Sequence, residues 1–137
     1  MAKSRQAKAK EVSPETKLKV LQRQNGKSIS GAYLFPYKTE FHHLITRGSG
    51  GVGYEWNIVA LTSEEHRAVH DRQPIQIYGR LRFTCEEFQA LMRNHMKTHY
   101  TGWSERKCRY VKGWEEEDYE VKRSNKRLPD SEYFRSK

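Results

Sequence analysis

Apolar and aromatic positions cluster along this chain with two different periods, and the change of period predicts where strands and helices lie. Residues 32–45 are dense in tyrosine, phenylalanine, leucine and isoleucine, which favours extended structure, interrupted at Pro36. This first strand is expected to end near His43 or Leu44. Residues 56–61 are apolar again and predict a short second strand.

A glycine-rich segment separates the two predicted strands. Four of the six residues 48–53 are glycine, which predicts a loop that turns the chain back on itself. After the second strand, Thr62 and Glu65 have the spacing of a capping box, so a helix is expected to begin just before His66. Pro74 marks its expected end, because the residue before a proline avoids the helical region. The predicted local order is strand, loop, strand, helix.

A second capping-box signature begins at Thr84 and is followed by apolar positions at helical spacing. It predicts an amphipathic helix over about residues 84–100, and the only predicted surface for its apolar stripe is the first unit. Residues 75–78 are expected to form a short extended linker between the two helices. Trp103 and Trp114 are expected to dock on the same core.

Composition narrows the class of protein. The 137 residues are 31% charged and 35% hydrophobic, with a mean hydropathy of −1.02, so they form one small domain at most. The net charge of +9 favours a polyanionic partner, and since no apolar run is long enough for a membrane, nucleic acid is the simplest choice. A basic, well-solvated surface is the alternative. Two cysteines without a C-x-x-C pair, and an N-terminus without an apolar signal segment, indicate a reduced, cytosolic chain.

The sequence divides into a basic N-terminal arm at 1–30, a central domain at 31–115 and a charged C-terminal tail at 116–137. Within the arm, Pro14 predicts the start of a short helix over about residues 14–24. Two interpretations of the arm stay open: an electrostatic contact to DNA phosphates, or a disordered solubilising tail. The chain beyond about residue 125 has the composition of a frayed end.

Four of the six histidines fall within residues 42–70. His66 and His70 are four residues apart, so a helix turns both imidazoles to one side, as a two-ligand metal clamp requires. His42 and His43 are adjacent in the predicted strand, so they face opposite sides and only one of them can turn toward that clamp. The pattern indicates a metal site with a further histidine free for another task.

This constellation resembles the HNH nuclease motif of the ββα-metal (His-Me finger) fold. The successive spacings of fourteen, nine and four that link His43, Asn57, His66 and His70 are much like those of the colicin-type DNases. The stretch from Asn57 to His70, with the glycine-rich loop before it, is similar to small phage-encoded HNH endonucleases. Many HNH proteins also carry two C-x-x-C pairs that bind a structural zinc, and this chain lacks them.

The resemblance implies an α+β protein in which a ββα-metal unit is flanked by supporting helices. It implies that His42, His66 and His70 bind one divalent metal ion, which is Mn, Mg, Ni, Co or Zn. It also implies that His43 is the general base and that Asn57 holds the loop and positions His43. A histidine suits that task on chemical grounds, because its neutral form near physiological pH can remove a proton from water.

Residues beside the motif are candidates for supporting roles. Glu40 is either a partner of the metal ligands outside the coordination shell or a solvated strand residue. Arg47, Arg67 and Arg72 are candidate DNA-binding residues that contact phosphates, and exposed arginines without such a role are the alternative.

The implied function is that of a metal-dependent DNA endonuclease, a nicking enzyme acting as a monomer that leaves 5′-phosphate and 3′-hydroxyl ends. The resemblance further implies phage origin, the cytoplasm of the host cell as location, and phage packaging proteins as partners. One alternative is a non-catalytic, metal-stabilised nucleic-acid-binding module. Another is an RNA-binding accessory protein, which rests on charge and on aromatic residues such as Tyr110 and Trp114. The presence of His43 favours the enzyme, because a structural metal site needs no neighbouring free base.

Overall fold

The computed structural model describes residues 4–124 as a mixed α+β fold, which confirms the predicted class. Its helices are α1 (Arg5–Lys10), α2 (Pro14–Arg23), α3 (Ser63–His70), α4 (Cys85–His99) and α5 (Glu116–Tyr119), and its strands are β1 (Thr39–His43), β2 (Ile58–Thr62), β3 (Ile75–Ile77) and β4 (Arg80–Phe83). Short 3-10 turns occupy Pro36–Lys38, Arg47–Ser49, Glu55–Asn57 and Glu105–Cys108. Within residues 4–124, no helix combines the length and the apolar character that crossing a membrane requires.

The central hairpin pairs β1 with β2 in antiparallel register, with His42 opposite Val59 and His43 opposite Ile58. Strand β2 begins at Ile58 rather than at residue 56, because Trp56 and Asn57 belong to a 3-10 turn. Helix α3 follows at once. The order strand, loop, strand, helix is therefore confirmed.

Helix α3 begins as its sequence predicts, with a complete capping box between Thr62 and Glu65. The carboxylate of Glu65 is 1% exposed and also accepts hydrogen bonds from the hydroxyls of Ser28 and Ser30. The helix ends at His70, four residues before Pro74, with Asp71 as its C-cap. One buried carboxylate thus joins the start of α3 to the end of the N-terminal arm.

Strand β2 is buried on both faces and separates two groups of core residues. Val59 and Leu61 face the larger group, to which α4 contributes Phe88, Met92 and Met96. Ile58 and Ala60 face Val20 of α2 on the other side. Helix α4 matches the predicted helix within a residue at each end, and Trp103 and Trp114 pack against the larger group as predicted. Burial on both faces explains why β2 is apolar from Ile58 to Leu61 rather than alternating.

The N-terminal arm packs against the hairpin, so the disordered-tail interpretation is wrong for its described residues. Arg23 donates hydrogen bonds to the carbonyl oxygens of Glu55 and Ile58, at 2.8 and 2.7 Å, and to the Tyr100 hydroxyl. Its Nε donates to Nε2 of His95 at 2.8 Å. Burial and the charge of Arg23 lower the pKa of His95 to about 2, which keeps that imidazole neutral as an acceptor.

The prediction for residues 75–78 is wrong in part, because their extended structure belongs to a strand. Residues 75–78 are not a linker, because β3 turns into β4 at Tyr78 and Gly79, both with positive φ, of 51° and 78°. Glycine after such a residue is a turn signal that the short apolar run obscured. The predicted interruption at Pro36 is confirmed, because a 3-10 turn over Pro36–Lys38 separates the residues before it from β1.

At the other end of the chain, Tyr119 and Val121 are buried within the predicted tail at 116–137. The predicted frayed end beyond residue 125 lies outside the described residues.

Replacing Arg23 tests how firmly the arm is bound to the hairpin. Arg23→Ala leaves two carbonyl oxygens and the His95 acceptor without their donor, so the free energy of unfolding should fall by about 3 kcal/mol. Urea unfolding measures it, and Gln22→Ala, at an exposed position in the same helix, is the matched control. If both variants unfold at the wild-type midpoint, Arg23 does not bind the arm to the fold.

Candidate functional site

The histidines predicted as site residues line one open cleft of about 1160 Å³. Strand β1 and helix α3 form one wall, and the N-terminal arm and α4 contribute Val12, Lys17, Met92 and Arg93. Glu40 and all four motif histidines, His42, His43, His66 and His70, are among the lining residues. The fold therefore brings together side chains that are up to 30 positions apart.

His42 and His66 meet across the boundary between β1 and α3. Their ring centroids are 5.2 Å apart, and the rings are arranged edge to face. Burial, together with the smaller effects of the neighbouring His66, His43 and His70, lowers the pKa of His42 to about 4. His42 is therefore neutral near pH 7, and a neutral imidazole is the form that binds a metal ion.

Glu40 contacts His66 directly, with its Oε1 2.8 Å from Nδ1 of the imidazole. The hydrogen bond with His66 is also the main reason that the pKa of Glu40 lies below its ordinary value. When Nδ1–H donates to a carboxylate, Nε2 carries the free lone pair, and this arrangement orients many metal-binding histidines. Of the two interpretations of Glu40, the structure favours a partner of His66 over a solvated strand residue.

His70 lies one turn beyond His66 on α3, but its side chain is 85% exposed and approaches Asp71 at 3.4 Å. Among residues 4–124, no three histidine, cysteine, aspartate or glutamate side chains are already grouped as a metal-binding set. The chemistry of the donors nevertheless fits a divalent first-row ion: two facing imidazoles, an outer carboxylate and a third imidazole on a solvent-exposed side chain. These residues could hold the ion with two or three nitrogen ligands.

His43 faces the opposite side of β1, as strand alternation predicts, and contacts the N-terminal arm. Its Nε2 lies 2.9 Å from the carbonyl oxygen of Lys10. Because a carbonyl oxygen only accepts, Nε2 carries the hydrogen, and Nδ1 of the neutral ring is left as a proton acceptor. Burial lowers the pKa of His43, the bond to Lys10 opposes this, and Arg47 lowers it further. The ring is thus held in one tautomer and is neutral near pH 7.

Asn57 is fully buried and binds the backbone on both sides of the glycine-rich loop. Its Oδ1 accepts from the N–H of Ile45 at 2.8 Å, and its Nδ2 donates to the carbonyl oxygens of Ile45 and Val52, at 3.1 and 2.8 Å. Ile45 lies two residues after His43. These contacts fit the predicted role of Asn57 in holding the loop.

Two glycines allow that loop to pass close to other backbone segments. A Cβ on Gly51 would lie 1.6 Å from the carbonyl oxygen of Ile45, and one on Gly53 would lie 2.0 Å from that of Glu11. The amide of Gly53 also donates to the carbonyl oxygen of Ala9 at 2.8 Å. The loop and the arm are therefore packed directly against each other beside His43.

Of the three predicted phosphate-binding arginines, Arg47 and Arg72 line the cleft, whereas Arg67 is exposed on α3 and is not among its lining residues. Lys17 and Arg93 also line the cleft, although sequence reasoning did not single them out. Sequence reasoning also missed the Lys10 carbonyl oxygen that contacts His43, because a backbone acceptor has no signature in a sequence. The charge run of the arm was the only available signal for Lys17.

The role of Asn57 can be tested by stability alone. Asn57→Ala leaves three buried backbone groups without partners, so the free energy of unfolding should fall by about 3 kcal/mol. Asn57→Asp should cost at least as much, because a carboxylate oxygen would then face two carbonyl oxygens. Asn94→Ala, on the exposed face of α4, is the matched control in urea unfolding. Equal midpoints for Asn57→Ala and Asn94→Ala would rule out this role.

Comparison with known proteins finds no matching family model, no matching curated protein and no matching solved structure. The functional interpretation therefore rests on the residues of the cleft and on their geometry.

Proposed function

We propose that this protein is a metal-dependent DNA endonuclease in which β1, β2 and α3 form a ββα-metal unit. The observation that carries the proposal is that two adjacent residues, His42 and His43, make different contacts on opposite sides of β1. His42 turns toward His66, and Nδ1 of His66 contacts Glu40. His43 turns the other way, and the Lys10 carbonyl leaves its Nδ1 free to accept a proton. Metal ligation and base catalysis need these two separate arrangements.

In the proposed reaction, water attacks the phosphorus and the bond from phosphorus to the 3′ oxygen breaks. Nδ1 of His43 accepts the proton of the attacking water, and the 3′ oxygen leaves with a proton taken from solvent. One divalent ion, when bound, supplies charge neutralisation at the phosphate and stabilisation of the leaving oxygen. His42 and His66 would hold that ion, with His70 as a third ligand. The products are 5′-phosphate and 3′-hydroxyl ends.

Asn57 supports the same reaction indirectly, by fixing the backbone that follows His43. A general base must lie within hydrogen-bond reach of the water that it deprotonates, and small displacements are costly. The packing of Gly53 against Glu11 and the bond from His43 to Lys10 hold the ring from the other side. The base is therefore oriented by two chain segments.

The charge of the cleft suits a DNA backbone. Lys17, Arg47, Arg72 and Arg93 line it, and the whole chain carries a net charge of +9. Arg93 also forms an ion pair with Glu105. Cationic side chains around a catalytic centre position phosphates and make binding dependent on salt. Nicking as a monomer, phage packaging partners and a location in the host cytoplasm stay predictions.

The metal requirement gives the first test. Imidazole ligands suit Mn²⁺, Co²⁺, Ni²⁺ or Zn²⁺ better than Mg²⁺, which prefers oxygen. We expect nicking of supercoiled plasmid to be at least as fast with Mn²⁺ or Ni²⁺ as with Mg²⁺, and to stop in chelator. Gel analysis of the nicked form measures the rate. Cleavage that persists after exhaustive chelation would exclude the metal-dependent reaction.

A second test separates the base from the ligands. His43→Ala should lower the nicking rate by about 10²- to 10⁴-fold, the usual effect of losing a general base, while Mn²⁺ affinity is retained. His66→Ala should lower both the rate and the Mn²⁺ affinity, because it removes a ligand. Calorimetric titration of each variant gives the affinity, and Gln89→Ala, in the same cleft, is the control.

The outcome also distinguishes the enzyme from a non-catalytic binding module. If wild type binds DNA and metal but cuts no substrate, the module is the correct assignment. If His43→Ala loses metal as severely as His66→Ala, or cuts at the wild-type rate, His43 is not the base.

A further inference from the structure

Two segments outside the cleft expose an unusual number of large aromatic and apolar side chains. Residues 33–37 come just before β1, and residues 78–81 form the tip and the return strand of the β3–β4 hairpin. The exposed side chains are Tyr33 (60%), Phe35 (51%), Tyr37 (81%), Tyr78 (74%) and Leu81 (66%). Within residues 4–124 the one other large hydrophobic of this kind is Leu18, on α2.

The two segments contact each other and form one surface, which we call the aromatic strip. The backbone N–H of Tyr33 donates to the hydroxyl of Tyr78 at 3.4 Å. The rings of Phe35 and Tyr37 lie 6.2 Å apart with a 30° angle between their planes. The rings therefore stand side by side near the surface instead of entering the core.

The aromatic strip adjoins the cleft. Tyr37 lies two residues before Thr39, which lines the cleft, and five residues before His42. At about 3.3 Å per residue for extended chain, Tyr37 lies within roughly 17 Å of His42, which is a span of only a few nucleotides. The carbonyl oxygen of Lys38 accepts a hydrogen bond from the Ser63 hydroxyl at 3.0 Å, which attaches this end of the strip to the start of α3.

The charged residues within the two segments are all cations. Lys27, Lys38, Arg80 and Arg82 are exposed within residues 26–39 and 75–84, and neither range contains an aspartate or a glutamate. The ammonium group of Lys27 lies 5.4 Å from the centre of the Tyr33 ring. An exposed aromatic surface alone suits either a protein or a nucleic acid, but rings interleaved with cations suit a polyanion that also presents flat faces.

We propose that the aromatic strip is a stacking platform for the unpaired bases of single-stranded DNA. In a duplex the faces of the bases are stacked on each other and cannot stack on tyrosine rings. A protein that only contacts duplex phosphates would therefore have no use for these exposed rings. Unpaired bases can stack on such rings, while lysine and arginine follow the phosphates. The substrate preference that follows rests on the proposed endonuclease function. With the platform beside the cleft, the preferred substrate is a duplex that continues into a single-stranded segment.

The platform is tested by measuring binding to a labelled poly-dT strand and to a blunt duplex of equal length. Both measurements are made in chelator, so that binding is measured without metal-dependent cleavage. The double variant Tyr37→Ala/Tyr78→Ala should weaken binding to poly-dT by roughly 10- to 100-fold and leave duplex binding unchanged. Neither substitution alters charge or removes a buried side chain, so the core should be kept, while Tyr78→Ala also removes the hydroxyl that accepts from the Tyr33 N–H. Tyr37→Trp retains a ring and should bind as wild type, as should Leu18→Ala, at the exposed hydrophobic outside the strip.

The same proteins are then compared for cleavage of a blunt duplex and of a duplex with a single-stranded overhang. The double variant should lose the preference for the overhang and keep the rate on the blunt duplex. Wild-type affinity of the double variant for poly-dT overturns the platform, and this is the result expected if the strip binds a protein instead. Equal losses for strand and duplex overturn it as well. If wild type cuts nothing but the strand-specific loss is seen, the endonuclease fails and the stacking assignment stands.

Discussion

The antiparallel pairing of β1 with β2 sets the direction in which each of two adjacent histidines faces. Because β2 is buried on both sides, its register against β1 is fixed by two separate sets of core contacts. A slip by one residue would exchange the sides of His42 and His43 and would also bring core residues to the surface. The same constraint that stabilises the hairpin therefore keeps His42 beside His66 and His43 beside the Lys10 carbonyl.

The N-terminal arm has a second role that its composition does not indicate. It contributes Val20 to the core and inserts Arg23 among backbone carbonyl oxygens behind the hairpin. This anchoring places residues 9–11 against the glycine-rich loop, where Lys10 holds the ring of His43. A segment rich in cations thus orients a catalytic candidate through its backbone. The stability of the arm and the geometry of the proposed base are consequently linked.

The proposed nuclease cleft and the aromatic strip meet at the start of β1. Residues 33–37 belong to the strip, and the strand that follows carries Glu40, His42 and His43. These rings keep apolar surface in contact with water and gain no core contacts, so their presence beside a basic cleft indicates a partner with flat, stackable faces. A strand leaving the strip and a phosphate in the cleft would then belong to the same DNA molecule.

Much of the local structure was predictable from the sequence because it is encoded within a few residues. The capping boxes at Thr62 and Thr84 place the starts of α3 and α4, and alternation along β1 separates His42 from His43. The β3–β4 hairpin was missed, because a short apolar run has the same pattern in a linker as in a strand. Assignment of the motif to a nuclease stays a proposal.

Tertiary structure alone decided the contacts between distant segments. Glu40 and His66 are 26 positions apart, and Lys10 and His43 are 33 apart, so no periodicity connects either pair. The lining of the cleft by Arg47 and Arg72, but not Arg67, likewise depends on how α3 is rotated against β1. Such contacts follow from the packing of the whole core. Local sequence patterns determine which face of an element a residue occupies, but only packing determines what that face meets.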